Sequence, residues 1–188
     1  MLKKNVYWLI SFILCFILLT GCASNKMTEI PLVKQVDLTK FMGDWYVIAV
    51  IPTAIETAAY NPIENYQLNA DGTIATTFTF NKGAFDGTAK LYQPKGFVRP
   101  DTGNALWGMQ FIWPIKAEFR IAYLDETYQT TIIARNARDY VWLMARTPQI
   151  SDTKYDDLTT LIKSWGYDMT KLVKSPQQTP EQRSLLSK

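Results

Sequence analysis

Residues 118–146 read Glu118-Phe119-Arg120-Ile121-Ala122-Tyr123-Leu124-Asp125-Glu126-Thr127-Tyr128-Gln129-Thr130-Thr131-Ile132-Ile133-Ala134-Arg135-Asn136-Ala137-Arg138-Asp139-Tyr140-Val141-Trp142-Leu143-Met144-Ala145-Arg146. Three runs rich in β-branched and aromatic residues, Glu118–Leu124, Thr127–Ala134 and Tyr140–Arg146, read as strands. Leu124-Asp125-Glu126 is compact enough to join antiparallel neighbours. Upstream the pattern repeats over Trp45–Ile51, Glu64–Leu68, Thr73–Asn81, Gly87–Tyr92 and Ala105–Trp113, with Asn69-Ala70-Asp71-Gly72 as a second tight turn. These make eight strands, an all-β chain and an up-and-down antiparallel meander with no parallel crossover. Beyond Pro148 the period becomes helical. Ser151 or Asp152 can cap a helix whose Tyr155, Leu158, Leu161, Ile162 and Trp165 form an apolar stripe ending at Gly166. Eight strands and one outside helix predict a closed barrel, which has no exposed edges and an interior just wide enough for one small ligand.

The two-residue period of strands selects the residues that would line this interior. Trp107, Met109, Phe111 and Trp113 share one face, as do Phe119, Ile121 and Tyr123. Thr130 and Ile132 are expected inward with Ala134, and Trp142 and Met144 alternate with Arg146. Tyr66, Phe78 and Phe80 complete the expected lining. Met109 and Met144 suit a lumen that repacks around varied apolar guests, because thioether side chains are flexible.

The first residues carry an address. Behind the basic start Met1-Leu2-Lys3-Lys4, the uncharged run Val6–Leu19 reaches only about 21 Å as a helix. That falls short of the ~30 Å hydrocarbon core, so the run reads as a cleaved secretory signal. Its removal would leave 167 of the 188 residues, a length suited to one domain. The formal charge of +3 would drop to about +1, and no basic run remains to track nucleic-acid phosphates. The chain has no histidine, which removes the usual general base, the Ser-His-Asp triad and the commonest metal ligand. Carboxylates such as Asp86 or Glu118 show no paired spacing that would replace them, so no enzyme, cofactor or metal is expected.

Phe41-Met42-Gly43-Asp44-Trp45-Tyr46 resembles the first lipocalin motif, a helical turn leading into Gly-x-Trp at the barrel base. Thr127-Tyr128 is similar to part of the second motif. The stretch from Asp139 to Pro148 resembles the third motif of bacterial outer-membrane lipocalins, whose arginine packs across the base tryptophan. The resemblance covers roughly Val36 to Val173 and departs from the family pattern over Pro52–Pro62 and between Tyr92 and Leu106. It implies structural roles for Gly43, Trp45 and Arg146, and Arg146 then marks the Trp142 and Met144 face as inward. Leu19-Thr20-Gly21-Cys22 resembles a bacterial lipobox, which implies cleavage before Cys22 and acylation of that cysteine. Ala23 is not the aspartate that favours inner-membrane retention in such proteins.

The expected organisation is a signal peptide over 1–21, a lipidated tether over 22–36, a lipocalin domain over 37–173 and a disordered tail over 174–188. The expected function is binding, storage or transport of a fatty acid, lysophospholipid or similar amphiphile by a protein anchored to the outer membrane on its periplasmic face. Lys82, Lys95, Arg99 and Lys116 are candidates to meet an anionic head. The alternative is an envelope interaction protein with a filled barrel. A homodimer is compatible with either.

Overall fold

In the computed structural model, residues 28–53 and 56–186 are described. A short helix, α1 (Leu38–Phe41), precedes β1 (Gly43–Ile51), β2 (Ala59–Leu68), β3 (Thr73–Lys82), β4 (Thr88–Tyr92), β5 (Lys95–Val98), β6 (Leu106–Ile112), β7 (Ile115–Leu124), β8 (Thr130–Ala134) and β9 (Val141–Ala145). Helix α2 (Asp152–Ser164), β10 (Val173–Lys174) and α3 (Pro180–Leu186) complete the chain. Every pairing is antiparallel, the strands follow one another around the ring in chain order, and the ring closes through β1 and β9, from Tyr46↔Ala145 to Ile51↔Val141. The barrel has eight staves because β4 and β5 together form the fourth. β4 pairs with Phe78–Lys82 of β3, whereas β5 pairs with Thr73–Ala75. The break falls at Gln93-Pro94, where proline has no N–H to offer a ladder. Only four residues of β5 follow it, too few to display a period.

Two apolar layers hold the barrel. Inside, Trp45, Ile74, Trp107, Phe119, Ile133 and Met144 belong to one buried cluster. Outside, Ile48, Ile132, Val141 and Leu143 pack under Leu158 and Ile162 of α2. Ser151 caps this helix by accepting from Lys154 N at 3.2 Å, and Gly166, at φ +84°, follows its end. Because α2 covers their outer face, β8 and β9 are buried at every position and lose the alternation that marks a half-exposed strand.

Both expected boundary segments differ from their sequence readings. Residues 28–36 form a strap along the outside of the barrel rather than a free tether. Ile30 and Val36 are 1% and 0% exposed, Val33 N donates to Ile121 O at 3.0 Å, and Val36 N donates to Gly103 O at 2.8 Å. The buried Arg120 holds the strap by donating to Ile30 O at 2.8 Å and to Glu29 Oε1 at 2.6 Å. The start of the expected tail is also docked. β10 pairs with Ala49 and Val50, and Gln177 Nε2 donates to Val47 O and Pro62 O at 2.9 and 2.8 Å. β1 and β2 pair only from Gly43↔Tyr66 to Tyr46↔Ile63, so this segment seals the seam above. A polar, proline-bearing composition concealed both segments, since their order comes from distant partners. The signal peptide and Cys22 lie outside the described residues.

Candidate ligand-binding lumen

The lower end is closed by side chains that the local sequence puts in place. Trp45 is 0% exposed, and its Nε1 donates to Phe41 O at 2.9 Å. The Arg146 guanidinium lies 3.8 Å from the Trp45 ring centre, a cation–π contact. Its Nη2 donates to Lys40 O, Phe41 O and Met42 O at 2.8, 3.0 and 2.8 Å, and its Nη1 donates to Asp44 O at 2.7 Å. These bonds satisfy carbonyls that α1 leaves open at its end. Gly43 sits beneath at φ +91°, and a Cβ there would lie 3.5 Å from Arg146 Nη1. Above the plug, Trp107 and Phe119 stack at 4.9 Å, and Phe41 and Tyr66 pack edge-on to Trp107. Tyr66, Trp107, Phe119 and Ile121 were expected to line the ligand. They make up much of a filled lower half, with Phe119 reaching the space above.

The upper half is open. One cavity of about 230 Å³ is walled by Phe78, Met109, Phe119 and Trp142, with Glu56 and Glu64 among its polar groups. A second of about 310 Å³ shares Glu56, Phe78 and Trp142 and runs toward Val47, Pro62 and residues 173–176. Volumes of this order suit small-molecule sites, which are mostly apolar with a few convergent polar groups.

Five residues expected inward lie elsewhere. Tyr123, Thr130, Ile132 and Ala134 face outward, Ile132 and Ala134 in the layer beneath α2, Tyr123 beside Lys154, and Thr130 opposite the outward Ala145. A bulge between Ile121 and Tyr123 reverses the parity, and Ile133 is the inward residue of β8. Trp113 is 82% exposed at the tip of the β6–β7 hairpin, since β6 ends at Ile112. Phe111 stands at the rim, 47% exposed, and contributes to the smaller cavity. Phe78, Met109, Trp142 and Met144 are inside. Of the basic candidates, Lys95 is engaged by Asp71 at 3.3 Å, Arg99 lies in the closed-end loop, and Lys116 Nζ sits 3.4 Å from the Phe97 ring centre on the outer face. Lys82 is exposed at the mouth.

Two carboxylates were absent from the sequence-based lining. Glu64 is 1% exposed, and its Oε2 has no hydrogen-bond partner among the described residues. Burial pushes its carboxyl well above the usual range, and the Glu56 charge pushes it further. Glu56 accepts from Trp142 Nε1 at 3.3 Å and from Thr53 N at 3.4 Å. Burial raises it from 4.5 to about 7, against those two bonds. Tyr66 Oη is also unpartnered. Glu64 shares strand parity with Tyr66, which was the available signal. The lumen therefore offers protonated or protonatable oxygens to the polar part of a mostly apolar guest.

This burial has a measurable consequence. The folded state holds these protons more tightly than the unfolded chain, so it binds more protons above pH 4.5. Stability of the empty barrel falls as pH rises from 4.5 to about 7, and Glu64 extends the loss further. The depressed Asp71, held by Thr73 and down to about 2, titrates below this window. Thermal melts across pH 4.5 to 8 should show Tm declining, and Glu56→Gln with Glu64→Gln should flatten the slope. A Tm that rises over that range would contradict the assignment.

Residues 36–177 match the lipocalin-like domain. The chain is 30% identical to temperature-induced lipocalin-1 of Arabidopsis thaliana over 165 residues, covering 81% of this chain and 86% of that one. It is 26% identical to the outer membrane lipoprotein Blc of Escherichia coli, with 83% and 88% covered. Among solved structures, insecticyanin of Manduca sexta superposes with a TM-score of 0.62 at 15% identity, covering 79% of this chain and 84% of that one.

Proposed function

Because the chain belongs to the lipocalin-like family, in a Blc-like form, we propose that it is a membrane-anchored carrier of a lipid in the bacterial envelope. The guest is a fatty acid, lysophospholipid or similar amphiphile. The observation that carries this reading is the open upper lumen, walled by Phe78, Met109 and Trp142 above a base packed solid with aromatic rings. Burial of an acyl chain there gains roughly 0.8 kcal/mol per methylene, so ten methylenes supply about 8 kcal/mol of gross binding energy against the cost of association. Glu64 lines the smaller cavity, and its Oε2 has no hydrogen-bond partner among the described residues, an unfavourable state until a guest supplies one. The lipobox at Cys22 and the relatives named outer membrane lipoprotein support an acyl anchor at the outer membrane, facing the periplasm.

Native mass spectrometry of the protein extracted gently from its own membrane tests the carrier. Co-purified lipid of one class, displaced by added palmitate with quenching of the Trp142 fluorescence, is the expected result. A barrel that carries nothing and whose tryptophans ignore added lipid would return the filled-barrel interaction protein. For the anchor, Cys22→Ala should leave a longer, unprocessed precursor in the inner membrane. A processed outer-membrane form of that variant would end the lipobox reading.

A further inference from the structure

The β6–β7 hairpin carries a patch that the barrel does not need. Phe111, Ile112, Trp113 and Ile115 are 47%, 72%, 82% and 68% exposed, with Pro114 between them. Contiguous apolar exposure of this kind marks a contact with a partner or a membrane. The position of the tip narrows the choice. β7 pairs with β8 only from Arg120↔Ala134 downward, so Ile115 stands five residues, about 16 Å, beyond that rim. The strap begins at the same rim, where Thr28 O accepts from Arg138 and Ile30 N donates to Asn136 Oδ1 at 2.9 Å. Cys22 precedes Thr28 by six residues, which span at most about 20 Å. An acyl anchor at Cys22 thus reaches the height of the hairpin tip and little further. The opposite end is studded with exposed charges of both signs, Asp37, Asp44, Asp71, Asp101 and Glu126 beside Lys34, Lys40 and Arg99, which stay solvated rather than enter a bilayer.

We propose that the hairpin tip, Phe111 to Ile115, inserts into the interfacial region of the phospholipid bilayer that holds the anchor, so that the barrel mouth faces lipid. This rests on the acylation of Cys22 for its geometry and on the exposed side chains for its energy. The amphipathic tip and the acyl chains then act as the two signals that stable membrane attachment requires. On the same side, β4 pairs only with β3 among the described residues, and β6 runs past its last partner in β5 at Gln110. Phe111 therefore stands beside a gap in the upper wall, and Leu91 of β4 is 60% exposed. A lipid leaving the bilayer at the tip enters the lumen beside Met109 without first crossing water.

Trp113 is its own reporter, since Trp45, Trp107 and Trp142 are buried and Trp165 is half-buried. The acylated full chain is reconstituted into vesicles of phosphatidylethanolamine and phosphatidylglycerol bearing brominated acyl chains. Quenched and blue-shifted tryptophan emission that disappears in Trp113→Ser is the expected result. In parallel, the non-acylated chain from residue 22 with Cys22→Ser keeps every described contact and is sedimented with the same vesicles. Its binding should weaken roughly tenfold or more in Ile112→Ser/Trp113→Ser, with an unchanged melting curve. Unquenched Trp113 in an anchored protein overturns the insertion and leaves the anchor standing. Failure to acylate Cys22 in cells removes the anchor instead, and the sedimentation series then decides the hairpin alone. Concentration-dependent dimers that Trp113→Ser abolishes, without vesicle binding, would identify the patch as a self-interface and overturn the proposal.

Discussion

Arg146→Ala unfolds the barrel at a temperature about 5–15 °C lower than the parent chain, from a loss of about 2–4 kcal/mol. One guanidinium donates to the carbonyls of Lys40, Phe41, Met42 and Asp44 and covers the face of Trp45. Alanine removes all of these together. The carbonyls nearest solvent regain water, which is why the loss is smaller than four buried hydrogen bonds would imply. Arg146→Lys recovers little, because a single ammonium cannot span a fork of carbonyls and an indole plane at once. Chemical denaturation of both variants beside Trp45→Ala measures the coupling. If Arg146→Ala costs as much in the Trp45→Ala background as in the parent, the stacking contact contributes nothing and the carbonyl bonds carry the whole effect. A loss below about 1 kcal/mol in the parent background would contradict the structural role altogether.

Ala117→Trp weakens acyl-ligand binding roughly 100-fold while the barrel stays folded. Ala117 lines the smaller cavity, opposite Met109 on the neighbouring strand. An indole at that position takes the space of about four methylenes, near 3 kcal/mol of burial. The space is already empty, so the substitution fills a void without displacing packed neighbours. Titration of palmitate and of lysophosphatidylethanolamine by tryptophan quenching reads the affinity, and a thermal melt confirms the fold. Unchanged affinity for both would place the guest outside the upper lumen. Met109→Ala is the complementary variant, which enlarges the cavity and should shift preference toward bulkier chains.

The fold was legible along most of the chain because strand runs and turns are written locally. Each of the eight expected runs falls on a strand, and Ser151 and Gly166 bound the helix as expected. The fourth stave was half visible, since Pro94 splits it and β5 is too short to show a period. Phe78, Met109, Trp142 and Met144 were found by parity alone. Tyr123, Thr130 and Ile132 were assigned to the wrong face because the bulge after Ile121 is silent in the sequence, and because α2 makes the outer face of β8 as apolar as the inner one. Trp113 was read as lining because its parity with Trp107 holds only while the strand continues.

By itself the amino-acid order determined an antiparallel barrel with one outer helix and the residues of its base, Gly43, Trp45 and Arg146. Periodicity and turn chemistry are properties of neighbouring residues, so they survive without knowledge of the whole. Tertiary structure alone decided that the lower lumen is packed and the upper one open, that Glu64 Oε2 lies buried without a hydrogen-bond partner among the described residues, and that the strap begins at the same rim from which the apolar hairpin projects. Each of these depends on which distant segments come to cover a given surface. Burial, desolvation and exposure are set by that covering, and no local pattern encodes it.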